Sequence, residues 1–341
     1  MNVKSHAKVG AAFGVAALGL GILAAPASAD PNPITDHRQL AGVGSDTTQY
    51  VMNGLGDVIT NANGKVIASW NATPTDPAVT TITTKNPTTS PSCTLNRPNG
   101  SSNGIVALNN DITAGTGCVD FARSSRGPVD FTTSDLTFVP YAKDGVTYAT
   151  DLGSTVPTNL TKAQLASIYT NCTYTNASGT SVTVAPLLPQ TGSGTRTFWL
   201  SAIGVSESQV GSCVTQGVQE HDGTAITAGN QLMPYSIAQW IAQGKGFADV
   251  ANRRGESRLR SINGTAPTTG SGTALALNTA FDAGFLRDVY NVVPTARLSD
   301  AVIADTFVGS ASKVCSNGST INSYGFGTVA NCGATTLTGE R

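Results

Sequence analysis

Gln190-Thr191-Gly192-Ser193-Gly194-Thr195-Arg196-Thr197-Phe198-Trp199-Leu200 sets two glycines around a serine, follows them with a threonine, and runs straight into an apolar helical pattern. Glycine lets the backbone turn sharply and approach a ligand closely. The start of a helix offers unpaired N–H groups and the positive end of a dipole. With the Ser193 and Thr195 hydroxyls, the segment reads as a seat for a small oxyanion. On local sequence alone the commoner reading is a Ser/Thr N-cap after a glycine turn. The neighbouring segments have to decide between the two.

Three more segments share the design. Gly44-Ser45-Asp46-Thr47 precedes Tyr50, Val51, Leu55, Val58 and Ile59 at helical spacing, and Asp46 with Gln49 is close to a capping box. Gly100-Ser101-Ser102-Asn103-Gly104 precedes Ile105, Val106 and Leu108. Arg123-Ser124-Ser125-Arg126 follows the short buried strand expected at Val119–Ala122. Each is a hydroxyl-rich turn at a strand end or helix start, where α/β sheets bind ligands.

Around these turns, strands alternate with helices, so the class is α/β. Residues 30–40 read as an exposed lead, and residues 71–101 as strand edges and a long loop. Leu136 to Thr150 suggests strands. Thr161-Lys162-Ala163-Gln164 is a capping box before a helix, and Val182, Val184 and Leu187 form the strand that leads to Gly192. Leu275, Phe281, Phe285, Leu286 and Val289 predict a helix.

Bulk properties narrow the classes. Lys4 and Lys8, the apolar run Val9–Leu23 and the small residues Ala27-Ser28-Ala29 form a secretory signal over residues 1–29. The apolar run is short for a membrane span, and no cysteine stands at the cleavage point to carry a lipid anchor. Without the two signal lysines the chain has 18 basic and 21 acidic residues. No basic run points to nucleic acid. Six cysteines in an exported chain read as disulfides. The sequential pairing Cys93–Cys118, Cys172–Cys213 and Cys315–Cys332, which closes three modest loops, is the one expected. No CxxC or CxxH spacing suggests a metal, and no cofactor is implied. A chain this long favours two lobes.

The chain resembles the phosphate-binding proteins of ABC transporters. Ala41–Thr47 is similar to that family's first phosphate loop, Gly100–Ile105 to its second, and Val119–Pro128 to its Asp-Phe-Gly-Ala-Ser-Asp-x-Pro segment. Leu160–Tyr169 is similar to the helix that begins its second lobe. Asp222-Gly223 and Met233–Ser236 stand where the family has Asn-Asp-Gly and Ile-Gly-Tyr, and Gly192–Thr195 is its most specific motif. The resemblance implies a two-lobe periplasmic-binding-protein fold of type II, with hinge crossings near Val139–Thr147 and Leu232–Ile237. Residues 30–145 plus 235–341 then form lobe 1, and 146–234 form lobe 2. It also implies a monomer that clamps a small oxyanion, phosphate first, and an ABC permease as partner. The ligand set carried over is Asp46, Thr47, Ser101, Ser125, Arg126, Ser193, Gly194, Thr195 and Arg196.

Three positions depart from the family. Pro189 stands where it has an arginine, Ser125 (or Arg126, with one residue inserted) where it has an aspartate, and Asp46 where it has a hydroxyl residue. Arg126 or Arg196 is expected to supply the missing positive charge, and Arg126 to pair with Asp46. The departures keep open an extracellular interaction protein with a lost or changed ligand. A secreted hydrolase is the least supported reading: His37 and His221 are the only histidines after residue 29, and Gly-Ser-Gly is not a nucleophile elbow.

Overall fold

The computed structural model describes residues 30–31 and 35–340; the signal segment lies outside them. A ten-stranded sheet organises the chain. Its strands are β1 (Leu40–Gly44), β2 (Ile67–Ser69), β3 (Phe121–Ser124), β4 (Leu136–Asp151), β5 (Ala185–Pro189), β6 (Thr215–Val218), β7 (Gln231–Ser236), β8 (Ser257–Leu259), β9 (Leu286–Pro294) and β10 (Thr338–Gly339). The order is β6-β5-β7-β4-β9-β3-β1-β2, with β8 and β10 also paired to β4. Both flanks, β6-β5-β7 and β3-β1-β2, are parallel, and the centre is antiparallel.

β4 ties the two flanks together. It is rich in aromatic and β-branched residues, the composition of a buried strand. Its first part, Leu136–Gly145, pairs with β9, and its last part, Val146–Asp151, pairs with β7 and β8. Pro140 has no N–H for the ladder, and the register slips beside it: Val289 faces Ala142 while Tyr290 faces Pro140.

The cores follow this division. Val146, Tyr148, Leu165, Trp199, Leu232 and Phe285 share one cluster. Leu40, Tyr50, Phe121, Val139, Val289 and Phe307 share another, and Val43, Trp70, Ile105, Phe138 and Val292 a third beside it. This is a two-lobe α/β architecture with strands crossing between lobes. Residues 257–285, expected in lobe 1, pair with β4 and the strand Asn159–Leu160, and bring Ile262, Leu277, Phe281 and Phe285 into the core of lobe 2. The helix α5 (Ile237–Gly244) sits astride the division: Ile237 and Ile241 face one core, Ala238 and Ala242 the other.

The helix expected over 275–289 is absent. Asp282 caps a single 3-10 turn at Ala283–Phe285, and β9 begins at Leu286. β-branched valines and inward-facing Arg287 and Asn291 give β9 an in–out alternation that overrides the helical spacing. The lead is not free either: Asp30 receives both Arg97 Nη1 and Nη2, at 2.7 and 2.8 Å, and Arg38 is buried against the Gly56 and Ile67 carbonyls.

Local signals are realised where they were strongest. Thr161 caps α3 (Lys162–Asn171) in a reciprocal capping box with Gln164. Thr161→Ala is expected to cost about 1 kcal/mol, read by denaturant melts against wild type. Cys93–Cys118, Cys172–Cys213 and Cys315–Cys332 are disulfide-bonded. Among the described residues no helix is long and apolar enough to cross a membrane.

Candidate functional site

The four hydroxyl-rich loops leave the carboxyl ends of β1, β3 and β5 and the start of α2 (Ser101–Ala114), and they meet between the lobes. The first turns at Gly44, where φ is +111° and a Cβ would lie 2.8 Å from the Arg123 carbonyl oxygen, so only glycine fits. Beneath it Arg123 is wholly buried. Its guanidinium donates to the Gly42, Gly44, Ser45 and Trp70 carbonyls and to Ser69 Oγ. This arginine shapes the loop rather than reaching a ligand.

Asp46 does not cap α1 (Gln49–Val58), where Thr48 is the N-cap and makes no side-chain bond. Its carboxylate turns inward, 3.0 Å from Arg253 Nη2 and 3.1 Å from His221 Nδ1. Burial pushes the Asp46 carboxyl up, but Arg253 and His221 outweigh burial and hold it below the usual carboxylate range. Asp46 in turn raises the Arg253 pKa against the effect of burial. The expected Arg126–Asp46 pair therefore does not form: Arg126 donates to the Gly127 carbonyl and Ser102 Oγ, leaves Nε buried without a partner among the described residues, and burial lowers its pKa to about 10.

Thr195 is the meeting point. Its Oγ1 lies 3.2 Å from Thr47 Oγ1, 3.0 Å from Arg287 Nη2 and 3.2 Å from His221 Nε2. Ser101 Oγ accepts the Ser125 N–H at 3.0 Å and lies 3.3 Å from Ser125 Oγ. Gly194 packs between these two serines, and a Cβ there would come within 2.3 Å of Ser101 Oγ and 2.4 Å of Ser125 Oγ. Thr47, Ser101, Ser125, Ser193 and Thr195 are all fully buried. The lobes are in contact, with the Ser102 N–H donating to the Gly192 carbonyl at 3.1 Å.

Two of the expected residues are committed elsewhere. Ser193 caps α4 (Gly194–Ile203) through the Arg196 N–H, and its hydroxyl is 2.7 Å from Glu220 Oε2. Arg196 points away from the cleft: it forks onto Glu207 at 2.6–3.2 Å and reaches Gln216 and the carbonyl of Pro189. It anchors α4 to its own lobe instead of replacing the family arginine.

The cation that does reach the hydroxyls is Arg287, on β9. Asp144 holds it at 2.8 and 3.1 Å, its Nη2 reaches Thr195, and its Nη1 is buried with no hydrogen-bond partner among the described residues. Asp144 also accepts from Ser236 Oγ and the Ala238 N–H at the start of α5. Arg253, Arg287 and Asp144 escaped the sequence reading. Arg287 lay in a stretch with helical spacing, and Arg253 in a loop with no motif around it. His221 stood beside the Asp222-Gly223 match, but its place next to Thr195 was not foreseen.

No family model matches this chain, and no curated protein matches its sequence. Solved structures do. An ABC-type phosphate transport receptor from Vibrio cholerae aligns over 85% of this chain and 100% of its own, with 18% identity and a TM-score of 0.50. A putative phosphate ABC transporter substrate-binding protein from Clostridium perfringens, solved with bound phosphate, aligns over 85% of this chain and 99% of its own, with 15% identity and a TM-score of 0.53. The chain has the two-lobe fold of the ABC-transporter phosphate-binding proteins. At these identities the likeness is one of fold. The hydroxyl loops occupy the place where open α/β sheets bind ligands, outside the carboxyl ends of parallel strands.

Proposed function

We propose that the chain is a secreted substrate-binding protein that clamps a small oxyanion, phosphate first, between its lobes and delivers it to an ABC permease. The observation that carries this reading is the group formed by the Thr47, Ser101, Ser125 and Thr195 hydroxyls, the amino end of α4, and Arg287 with its buried, unpartnered Nη1. A guanidinium beside hydroxyls and helix N–H groups is the chemistry that replaces water around an oxyanion. In this arrangement Arg287 does the work of the arginine that Pro189 displaces, from another strand. Asp46 is engaged by Arg253 and His221, so it is not free to accept a proton from the ligand; the one carboxylate oxygen near the motif with no partner among the described residues is Glu220 Oε1, behind Ser193. Three disulfides suit an oxidising, extracytoplasmic setting.

Asp46, His221 and Thr195 stand in the order of an acid–base–hydroxyl relay. We read the row as a device that orients Thr195, because it is wholly buried and Thr195 is also held by Arg287. A second reading, an extracellular interaction protein, is favoured by one observation: the hydroxyls already bond to one another across the cleft.

Thermal melts decide. Phosphate at 100 times its Kd should stabilise the native state by about 2.7 kcal/mol, and Thr195→Val should remove most of that gain. No shift with phosphate or sulfate, with no heat in calorimetry, rejects the oxyanion reading. Turnover of p-nitrophenyl phosphate that disappears in His221→Ala rejects the non-enzymatic one.

A further inference from the structure

A solvent-open cleft of about 420 Å³ adjoins the hydroxyl group, and Arg287 is common to both. Its walls divide by chemistry. Arg126 and Arg287 are each at most 6% exposed, and each leaves one buried guanidinium nitrogen, Nε of Arg126 and Nη1 of Arg287, without a hydrogen-bond partner among the described residues. The charges of Lys143 and Asp288 cancel in an ion pair with each other. The remaining wall includes Phe198, Leu286 and Tyr290, all half-buried, and Val129, which is exposed. The Arg287 guanidinium lies over the Phe198 ring, 5.3 Å from its centroid.

Asp144 balances the charge of Arg287, which leaves Arg126 as the excess positive charge of this partly enclosed place; that charge attracts an anion, and unpartnered N–H groups are costly until an acceptor meets them. An inorganic oxyanion has nothing to place against Phe198, Leu286 and Tyr290. The volume is instead that of a site for a small organic molecule, which buries apolar surface against such walls. We propose that this cleft is a subsite for the organic part of a phosphate monoester, an aromatic group above all, whose phosphate is held by Arg287, Thr195 and their neighbouring hydroxyls. This inference rests on the oxyanion reading of the site and names the class of ligand that fills it. Arg126, also on the cleft wall, adds the positive charge that keeps an anionic ligand oriented.

Calorimetry with inorganic phosphate and phenyl phosphate tests it, on wild type and on Ser201→Trp. Ser201 is exposed on α4, within the cleft and beyond the hydroxyl group. A tryptophan there fills the space for a ring and leaves the phosphate position untouched. Phenyl phosphate is expected to bind wild type at least tenfold tighter than inorganic phosphate, and Ser201→Trp to erase that advantage while inorganic phosphate binds as before. Phosphate binding with equal or weaker phenyl phosphate binding overturns the subsite and leaves the oxyanion reading standing. An advantage that survives Ser201→Trp also overturns it, since the ring then lies elsewhere. Binding of neither compound overturns both.

Discussion

Asp46→Ala is expected to destabilise the protein by about 3 kcal/mol, because it strands a buried imidazole and a half-buried cation. Asp46 and His221 are fully buried, and Arg253 Nη2 lies 3.0 Å from the Asp46 carboxylate. Loss of one partner leaves the others desolvated and unpaired, which costs more than the pair contributes when complete. Chemical denaturation at neutral pH reads the loss directly, and a change below 1 kcal/mol would show that Arg253 and His221 find water or other partners. The same group carries a pH signature. The Asp46 carboxyl is held below its ordinary value of 3.8 in the folded chain. Its contribution is therefore fully present above that value and is lost as the pH falls through the lower, folded one. The stability gap between wild type and Asp46→Asn should be constant from pH 7 to 5 and shrink below pH 4. A gap that stays constant below pH 4 would show that the effect does not come from the Asp46 carboxylate.

Gly100→Ala is expected to weaken ligand binding about 100-fold while the lobes stay folded. Gly100 sits at φ +104°, and a Cβ there would lie 2.5 Å from the Gly192 carbonyl oxygen and 2.8 Å from its carbon. Those atoms are backbone on the opposite lobe, so no side-chain movement relieves the overlap. The strained φ itself costs about 1–3 kcal/mol. The larger effect falls on closure: a closed state reduced to about 1% of the population raises the apparent Kd about 100-fold. Calorimetry with phosphate gives the affinity, and small-angle scattering should show an expanded particle that ligand no longer compacts. Gly194→Ala serves as the milder comparison, since its overlaps are with the Ser101 and Ser125 hydroxyls, which can rotate. Unchanged affinity in Gly100→Ala would mean that the ligand is taken up without closure.

What could be read from the chain before its structure follows from how far apart the interacting residues stand. The Thr161 capping box, the Ser193 turn before α4 and the sequential disulfides are local, and their spacing alone announces them. The two-lobe fold followed from the family resemblance that four such turns in order carried. The charges could not be found that way. Arg253 stands 207 residues from Asp46, and Arg287 143 residues from Asp144, so no window of sequence contains either pair. Arg126 and Arg196 lay nearest the motifs and drew the assignment. Arg196 instead found Glu207 eleven residues on, within its own lobe. β9 was hidden because its inward positions include Arg287 and Asn291, polar residues that blur the alternation of an ordinary buried strand. Arg287 is inward because it serves the space between the lobes, and a functional demand on a strand is what spoils its pattern.

Arg123 bears on the order in which the molecule is made. Its guanidinium spans β1, the residues at the end of β2, and its own β3, and finds acceptors on the first two only when all three stand side by side. The loop carrying Asp46 and Thr47 hangs from that union, through the Ser45 N–H on the Arg123 carbonyl and the Ser45 carbonyl on the guanidinium. Half of the cleft thus has no shape until residues 40 to 124 have paired in register. A chain that mispairs this flank presents no seat at all, so the capacity to hold a ligand certifies correct assembly of the three strands beneath it.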